Sequence, residues 1–158
     1  MYKACVITVS DRVYAGIYKD ESGPAVAKML SENGYEVTDT IIIPDDMEII
    51  KKALLAYCGQ GIHLIITTGG TGFAPSDVTP EATMAVIEKP APGIAEYMRY
   101  RSMEVTPRAI LSRGVAGIRG KSLIINLPGS PKGAAENLSF VLPRLTHGLD
   151  MLNGEKES

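Results

Sequence analysis

The chain alternates short apolar runs with amphipathic stretches, and glycine, proline or an acid marks most of the switches. Residues 3–10, KACVITVS, are rich in β-branched side chains and predict a first strand. The polar stretch SDRVYAGIYKDESG is expected as loop. Ser22 or Gly23 with Pro24 then opens a helix through Ser31, and Asn33-Gly34 ends it. Residues 35–43 predict a second strand, stopped by Pro44. Asp45 or Asp46 caps a helix in which Ile49, Ile50, Ala53, Leu54 and Tyr57 recur at a 3.6-residue period, closed by Gly59 and Gly61. Residues 62–68 predict a third strand, apolar enough to be buried on both faces.

After a glycine-rich loop, Pro80 opens a helix with Thr79 as its cap. Lys89-Pro90-Ala91-Pro92-Gly93 breaks the chain, and residues 94–103 return to a helical pattern. Residues 109–118 and 122–127 predict two strands joined by Arg119-Gly120-Lys121, a turn so short that they must be antiparallel neighbours. A last helix is expected from Pro131 to about Leu152, bent at Pro143. Strands alternating with helices imply a three-layer α/β/α sandwich with a mostly parallel sheet and one antiparallel strand. No repeat, low-complexity tract or long linker divides the sequence, so residues 1–158 are expected to form a single domain.

Composition narrows the function classes. A net charge of -2 gives no bulk basic surface for nucleic acid, so an anionic ligand must be held by local geometry. The longest aliphatic runs are far too short to span a bilayer, and no charged segment with a long apolar stretch opens the chain. A cytoplasmic protein with no membrane partner is expected. On that reading the sequon Asn137-Leu138-Ser139 is a chance match. Cys5 and Cys58 belong to no C-x-x-C pair and read as small apolar side chains in a reducing compartment. His63 and His147 lack the spacing of a zinc site. Gly120-Lys121-Ser122 imitates the end of a phosphate-binding P-loop but fails on spacing and leads into a strand.

The candidate chemistry follows from sheet geometry. Ligands of open α/β sheets bind beyond the carboxyl ends of the parallel strands. That rule selects Ser10, Asp11 and Arg12 after the first strand, Pro44, Asp45 and Asp46 after the second, and TTGGTGFAPSDVTPEAT after the third. Gly69, Gly70 and Gly72 let backbone N–H groups approach an anion, and the following helix start adds partial positive charge. Asp45 and Asp77 would repel a phosphate directly. They are explained if a divalent cation such as Mg²⁺ lies between carboxylates and a polyphosphate. Capping of helix N-termini is the competing use of Asp46 and Asp77. LPGSPK, residues 127–132, adds Ser130 as a cap and Lys132 as a charge. A Cβ at Gly70 is expected to harm ligand binding more than stability.

Together SDR near residue 10, PDD near residue 45, TTGGTGFAPSDVTPEAT, LSRGVAGIRG and INLPGSPK resemble the molybdopterin adenylyltransferase family, which includes the G domains of gephyrin and its plant counterpart. The resemblance covers residues 3–152. It implies that molybdopterin is adenylylated by ATP with Mg²⁺, giving adenylyl-molybdopterin and pyrophosphate, within molybdenum cofactor biosynthesis. It also implies a homotrimer and hand-over of product to a molybdenum insertase. By the same resemblance, Asp45 and Asp77 are the catalytic and metal-binding acids. Ser10, Asp11, Thr68, Gly69, Gly70, Thr71 and Gly72 fall in the substrate site, and Ser112, Pro128, Gly129 and Ser130 border the pterin. Ser76 departs from the family, where many relatives carry arginine. The alternative within this resemblance is a molybdopterin-binding homologue with little or no catalytic activity.

Overall fold

A computed structural model describes residues 1–154. Its sheet has the order β2-β1-β3-β6-β5-β4, with β1 at Lys3–Val9, β2 at Glu36–Ile43, β3 at Leu64–Thr68, β4 at Lys89–Pro90, β5 at Ala116–Arg119 and β6 at Ser122–Leu127. β2, β1, β3 and β6 pair in parallel, and β5 runs against both its neighbours. This is the expected mostly parallel sheet with one antiparallel strand.

Alternation along the strands divides the core in two. Ala4, Val6, Leu64, Ile66 and Ile125 point to the face covered by α2 (Ser22–Glu32), α5 (Pro92–Met103) and α6 (Pro131–Leu152). Cys5, Ile7, Ile65 and Ile124 point to the other face, under α3 (Met47–Gly59) and α4 (Thr79–Val86). All five residues of β3 are buried, as a central strand covered on both sides requires. Three layers result.

Several expectations are corrected. The loop after β1 contains a short helix, α1 (Asp11–Tyr14), because Ser10 accepts a hydrogen bond from the Val13 N–H and starts a turn there. Residues 109–111 are not strand. Thr106 caps a 3₁₀ turn at Pro107–Leu111, and extended pairing begins only at Ala116. Arg99 keeps the intervening segment off the sheet ladder by donating to the carbonyls of Ser112 and Gly114 at 3.3 and 2.8 Å. Lys89–Pro90, expected only as a break, forms the edge strand β4 against β5, where a proline costs no ladder bond on its open side. Thr79 is the first residue inside α4 rather than its cap, and its hydroxyl makes no capping bond. Asp46 does cap α3, accepting from the Ile49 N–H at 3.0 Å. Pro143 lies within α6, which continues through it.

Chain order creates the crevice. From β1 the chain moves outward to β2, then crosses β1 to lay down β3 on its other side. The connections leaving β1 and β3 therefore diverge, which opens a gap at their carboxyl ends. β5 runs opposite to β6, so the segment entering β5, including Ser112 and Arg113, reaches this same edge.

Candidate functional site

Three backbone segments meet at the edge with no room for side chains between them. A Cβ on Gly69 would lie 2.3 Å from the Val9 carbonyl oxygen, and one on Gly129 would lie 3.3 Å from the Gly69 Cα. Gly69 and Gly70 both have positive φ, 93° and 71°, which turns the chain sharply out of β3. The Gly69 N–H still donates to the Leu127 carbonyl at 3.0 Å, extending the β3–β6 pairing by one residue. The loop is then closed at its base, where the Thr79 N–H donates to the Gly70 carbonyl at 3.2 Å.

Two crevices flank this loop. The larger, about 730 Å³, is bordered by Thr71, Gly72, Ser112, Pro128, Ser130 and Lys132 among others. The smaller, about 360 Å³, is bordered by Ser10, Tyr18, Lys19, Asp45, Thr68 and Gly69 among others. Gly70, Asp77 and Gly129 line both. Of the residues that the family resemblance places in the site, all border a crevice except Asp11, and of the further strand-end candidates Arg12, Pro44 and Asp46 line neither.

Asp11 instead holds Asp45. The Asp11 N–H donates to Asp45 Oδ2 at 2.9 Å, and the Asp45 N–H donates to Asp11 Oδ1 at 2.8 Å. Asp45 Oδ1 is buried and has no hydrogen-bond partner among the described residues. The Asp45 carboxyl is pushed above its ordinary range, chiefly by burial. The Asp11 backbone bond opposes this, while the negative charges of Asp11 and Asp77 add to it. Asp77 does not cap α4. Its Oδ2 accepts from the Ala74 N–H at 3.0 Å and so tightens the loop on itself.

These features fit a divalent cation bound along with phosphate. Two carboxylates of like sign share the site, and one keeps a buried oxygen unsatisfied. Beside Gly70, a Cβ would come within 3.2 Å of Asp45 Oδ1 and 2.2 Å of Thr79 Oγ1. Among the described residues no group of three or more His, Cys, Asp or Glu side chains is placed to hold a metal ion. Asp45 and Asp77 are hard oxygen donors, the donor type that Mg²⁺ takes alongside phosphate and water.

Sequence reasoning missed Thr79 and Arg113. Thr79 is fully buried and, among the described residues, its hydroxyl is unpartnered, like Asp45 Oδ1, at the same glycine. Its place in a run that reads as a helix cap hid it. Arg113 was remote in sequence from the loop it binds, and nothing local announced the contact. A Cβ at Gly70 would meet Thr79 on a left-handed backbone, so a cost in stability stands beside the expected larger loss in ligand binding. Ser76 is exposed and makes no hydrogen bond among those of the loop described above. No helix of the described residues is long and apolar enough to cross a membrane.

The chain is similar to proteins of one kind throughout. It is 45% identical over 152 residues to a protein of Helicobacter pylori named molybdopterin adenylyltransferase, covering 94% of this chain and 86% of that one. A protein of the same name from Escherichia coli K12 is 43% identical over 140 residues, covering 86% and 71%. Among solved structures, the molybdopterin biosynthesis enzyme MoaB from Thermus thermophilus superposes with a TM-score of 0.93 at 45% identity, covering 100% of both chains. A family model described as "Probable molybdopterin binding domain" matches residues 5–147, and with nearly the whole chain spanned, the protein belongs to that molybdenum cofactor biosynthesis family.

Proposed function

We propose that this protein is a molybdopterin adenylyltransferase of molybdenum cofactor biosynthesis, acting on molybdopterin and ATP with Mg²⁺. The observation that carries the reading is the meeting of two crevices at Gly70, Asp77 and Gly129. A transfer between two bulky substrates needs such a shared point, with each substrate approaching from its own side. The names of the relatives support the same chemistry.

In this reaction an oxygen of the molybdopterin phosphate attacks the α-phosphorus of ATP. The bond from that phosphorus to the bridging oxygen breaks, and pyrophosphate leaves with the electron pair. No covalent enzyme intermediate is needed, so alignment and charge neutralisation supply most of the rate. We assign the pterin to the larger crevice, bordered by Ser112 and the Pro128-Gly129-Ser130 turn. Phosphates lie along Gly69, Gly70, Thr71 and Gly72, while Ser10 and Thr68 line the neighbouring crevice. Asp45 and Asp77 would hold Mg²⁺, which when bound neutralises phosphate charge. Asp11 fixes Asp45 through their paired backbone bonds.

The test is pyrophosphate release from ATP on addition of molybdopterin and Mg²⁺. Release that requires all three supports the reading. Tight binding of molybdopterin without release would favour a pterin-binding protein that does not catalyse transfer. We further propose a cytoplasmic homotrimer that hands its product to a molybdenum insertase. Light scattering that returned a concentration-independent monomer of 16.9 kDa would overturn the trimer.

A further inference from the structure

Between β3 and α4 the chain has no sheet ladder, so its carbonyls need partners from elsewhere. Arg113 supplies three of them. Its backbone N–H donates to the Thr71 carbonyl at 2.9 Å, its Nε to the Gly72 carbonyl at 2.8 Å and its Nη2 to the Asp77 carbonyl at 2.9 Å. The remaining edge of the guanidinium meets the Glu81 carboxylate, Nη1 at 2.6 Å and Nη2 at 3.3 Å. One residue thus grips the loop near its start and at its end, and ties it to the first turn of α4.

The grip has a consequence on the other side of the loop. A peptide group is planar and trans, so its N–H points opposite to its C=O. With the Thr71 and Gly72 carbonyls turned to Arg113, the N–H groups of Gly72 and Phe73 are aimed away from it. Neither donates to a protein acceptor among the described residues. Gly72 borders the larger crevice, whereas neither Phe73 nor Arg113 lines either crevice. Four of the five N–H donors of the guanidinium are already taken by the loop carbonyls and Glu81, so its bonds serve the loop.

We propose that Arg113 is a positioning residue for the transfer reaction: by holding the Thr71, Gly72 and Asp77 carbonyls, it presents the Gly72 and Phe73 N–H groups and the Asp77 carboxylate to the substrate phosphates. This rests on the adenylyl-transfer reading. A fork of donors in one plane is what the Gly72 and Asp77 carbonyls and Glu81 require, the Thr71 carbonyl being held by the backbone N–H, and lysine carries the charge without the fork. The ion pair itself is a minor element, since it is partly exposed at both ends, 32% and 50%.

Arg113→Lys and Glu81→Gln separate the two contributions. Arg113→Lys should lower kcat on the order of 100-fold, the scale of a small misplacement of reacting groups, with a much smaller change in KM for ATP. Glu81→Gln keeps the carbonyl bonds and should leave kcat within about twofold, the ion pair being exposed. An Arg113→Lys kcat equal to that of the unaltered protein, or an equal loss in Glu81→Gln, would overturn the proposal. The second measurement needs no turnover. In ¹⁵N-labelled unaltered protein, pyrophosphate should shift the Gly72 and Phe73 amide resonances, and in Arg113→Lys the Phe73 shift should shrink most, its peptide having lost the Nε bond, while amides of β1 keep their positions. Unaltered protein whose Gly72 and Phe73 amides ignore pyrophosphate would sink the positioning role, even if the lysine variant failed to fold. Amides that respond in a protein without transferase activity would instead count against the proposed reaction alone.

Discussion

Asp11 and Asp45 each accept a hydrogen bond from the other's backbone N–H, at 2.8 and 2.9 Å. The pairing brings two carboxylates together at the ends of β1 and β2 and, among the described residues, leaves Asp45 Oδ1 buried without a partner beside Gly70. A charge is held there at a cost to the fold, as expected of a group kept for its ligand.

That cost makes Asp45→Asn informative. The amide retains an oxygen for the Asp11 N–H but removes a half-buried charge beside two other acids. Adenylyl transfer should fall on the order of 10²–10³-fold, as when other preorganised electrostatic partners are removed. Thermal unfolding at pH 7 should give a Tm equal to or above that of the unaltered protein. If Tm dropped along with activity, Asp45 would be a structural acid and its proposed role at Mg²⁺ would fail.

Gly70 and Gly72 should respond differently to alanine. At Gly70 the φ of +71° and the approach of Thr79 Oγ1 to 2.2 Å make the substitution strained, so Gly70→Ala should lose roughly 1–3 kcal/mol of stability as well as ligand affinity. At Gly72 the nearest atom to a Cβ is Asp77 Oδ2, at 2.9 Å. Gly72→Ala should displace that carboxylate and weaken nucleotide binding with the smaller fall in Tm. Calorimetric titration beside thermal unfolding checks both, and a larger stability loss at Gly72 than at Gly70 would contradict this account.

The buried amide of Asn126 joins three elements below the site. Its Nδ2 donates to Thr67 Oγ1 and Thr83 Oγ1, each at 3.0 Å, and its Oδ1 accepts from the Val115 N–H at 3.1 Å. Asn126→Leu has similar volume but leaves the Val115 N–H and two hydroxyls without their amide partner. Denaturant unfolding should show a loss of about 3 kcal/mol, since each buried polar group left unsatisfied costs about 1–3 kcal/mol. A loss below about 0.5 kcal/mol would mean that these groups find other partners.

The Glu81 carboxyl is held below its ordinary range, chiefly by its hydrogen bond from Arg113. A depressed carboxyl stabilises the fold above its unfolded pKa, and the contribution fades as pH falls through the lower folded value. The stability difference between unaltered protein and Glu81→Gln should therefore be present at pH 7 and vanish in acid. Both partners are partly exposed, so the difference should be about 0.5 kcal/mol and shrink in high salt. A difference that grew on acidification would reverse the sign of the argument.

Much of this was legible in the residues themselves. The β-branched runs at β1, β3 and β6 could only be buried strands, because a local pattern of apolar side chains selects a conformation without help from distant chain. TTGGTG after β3 announced a turn with close backbone approach, and Gly69 and Gly70 do take positive φ. Asp45 and Asp77 could be picked out as acids beyond strand ends. Local pattern misled at residues 109–111, where apolar side chains suggested a strand. There Thr106 and Pro107 start a 3₁₀ turn, and Arg99 from another helix takes carbonyls that a ladder would need.

What tertiary structure alone decided was which loops become neighbours. Strand order depends on how each crossover packs against the sheet, an energy spread over the whole core and written in no short segment. Because β5 runs against β6, Arg113 is delivered to a loop 36 residues before it and grips the Asp77 carbonyl. Because β1 and β2 are parallel neighbours, Asp11 and Asp45, 34 residues apart, exchange backbone bonds. The sequence by itself determined the acids, the glycines and the strands that carry them. Their division into groups that face the crevices and groups that hold those in place arises only when the sheet is assembled, because hydrogen-bond partners are set by distance in space and not along the chain.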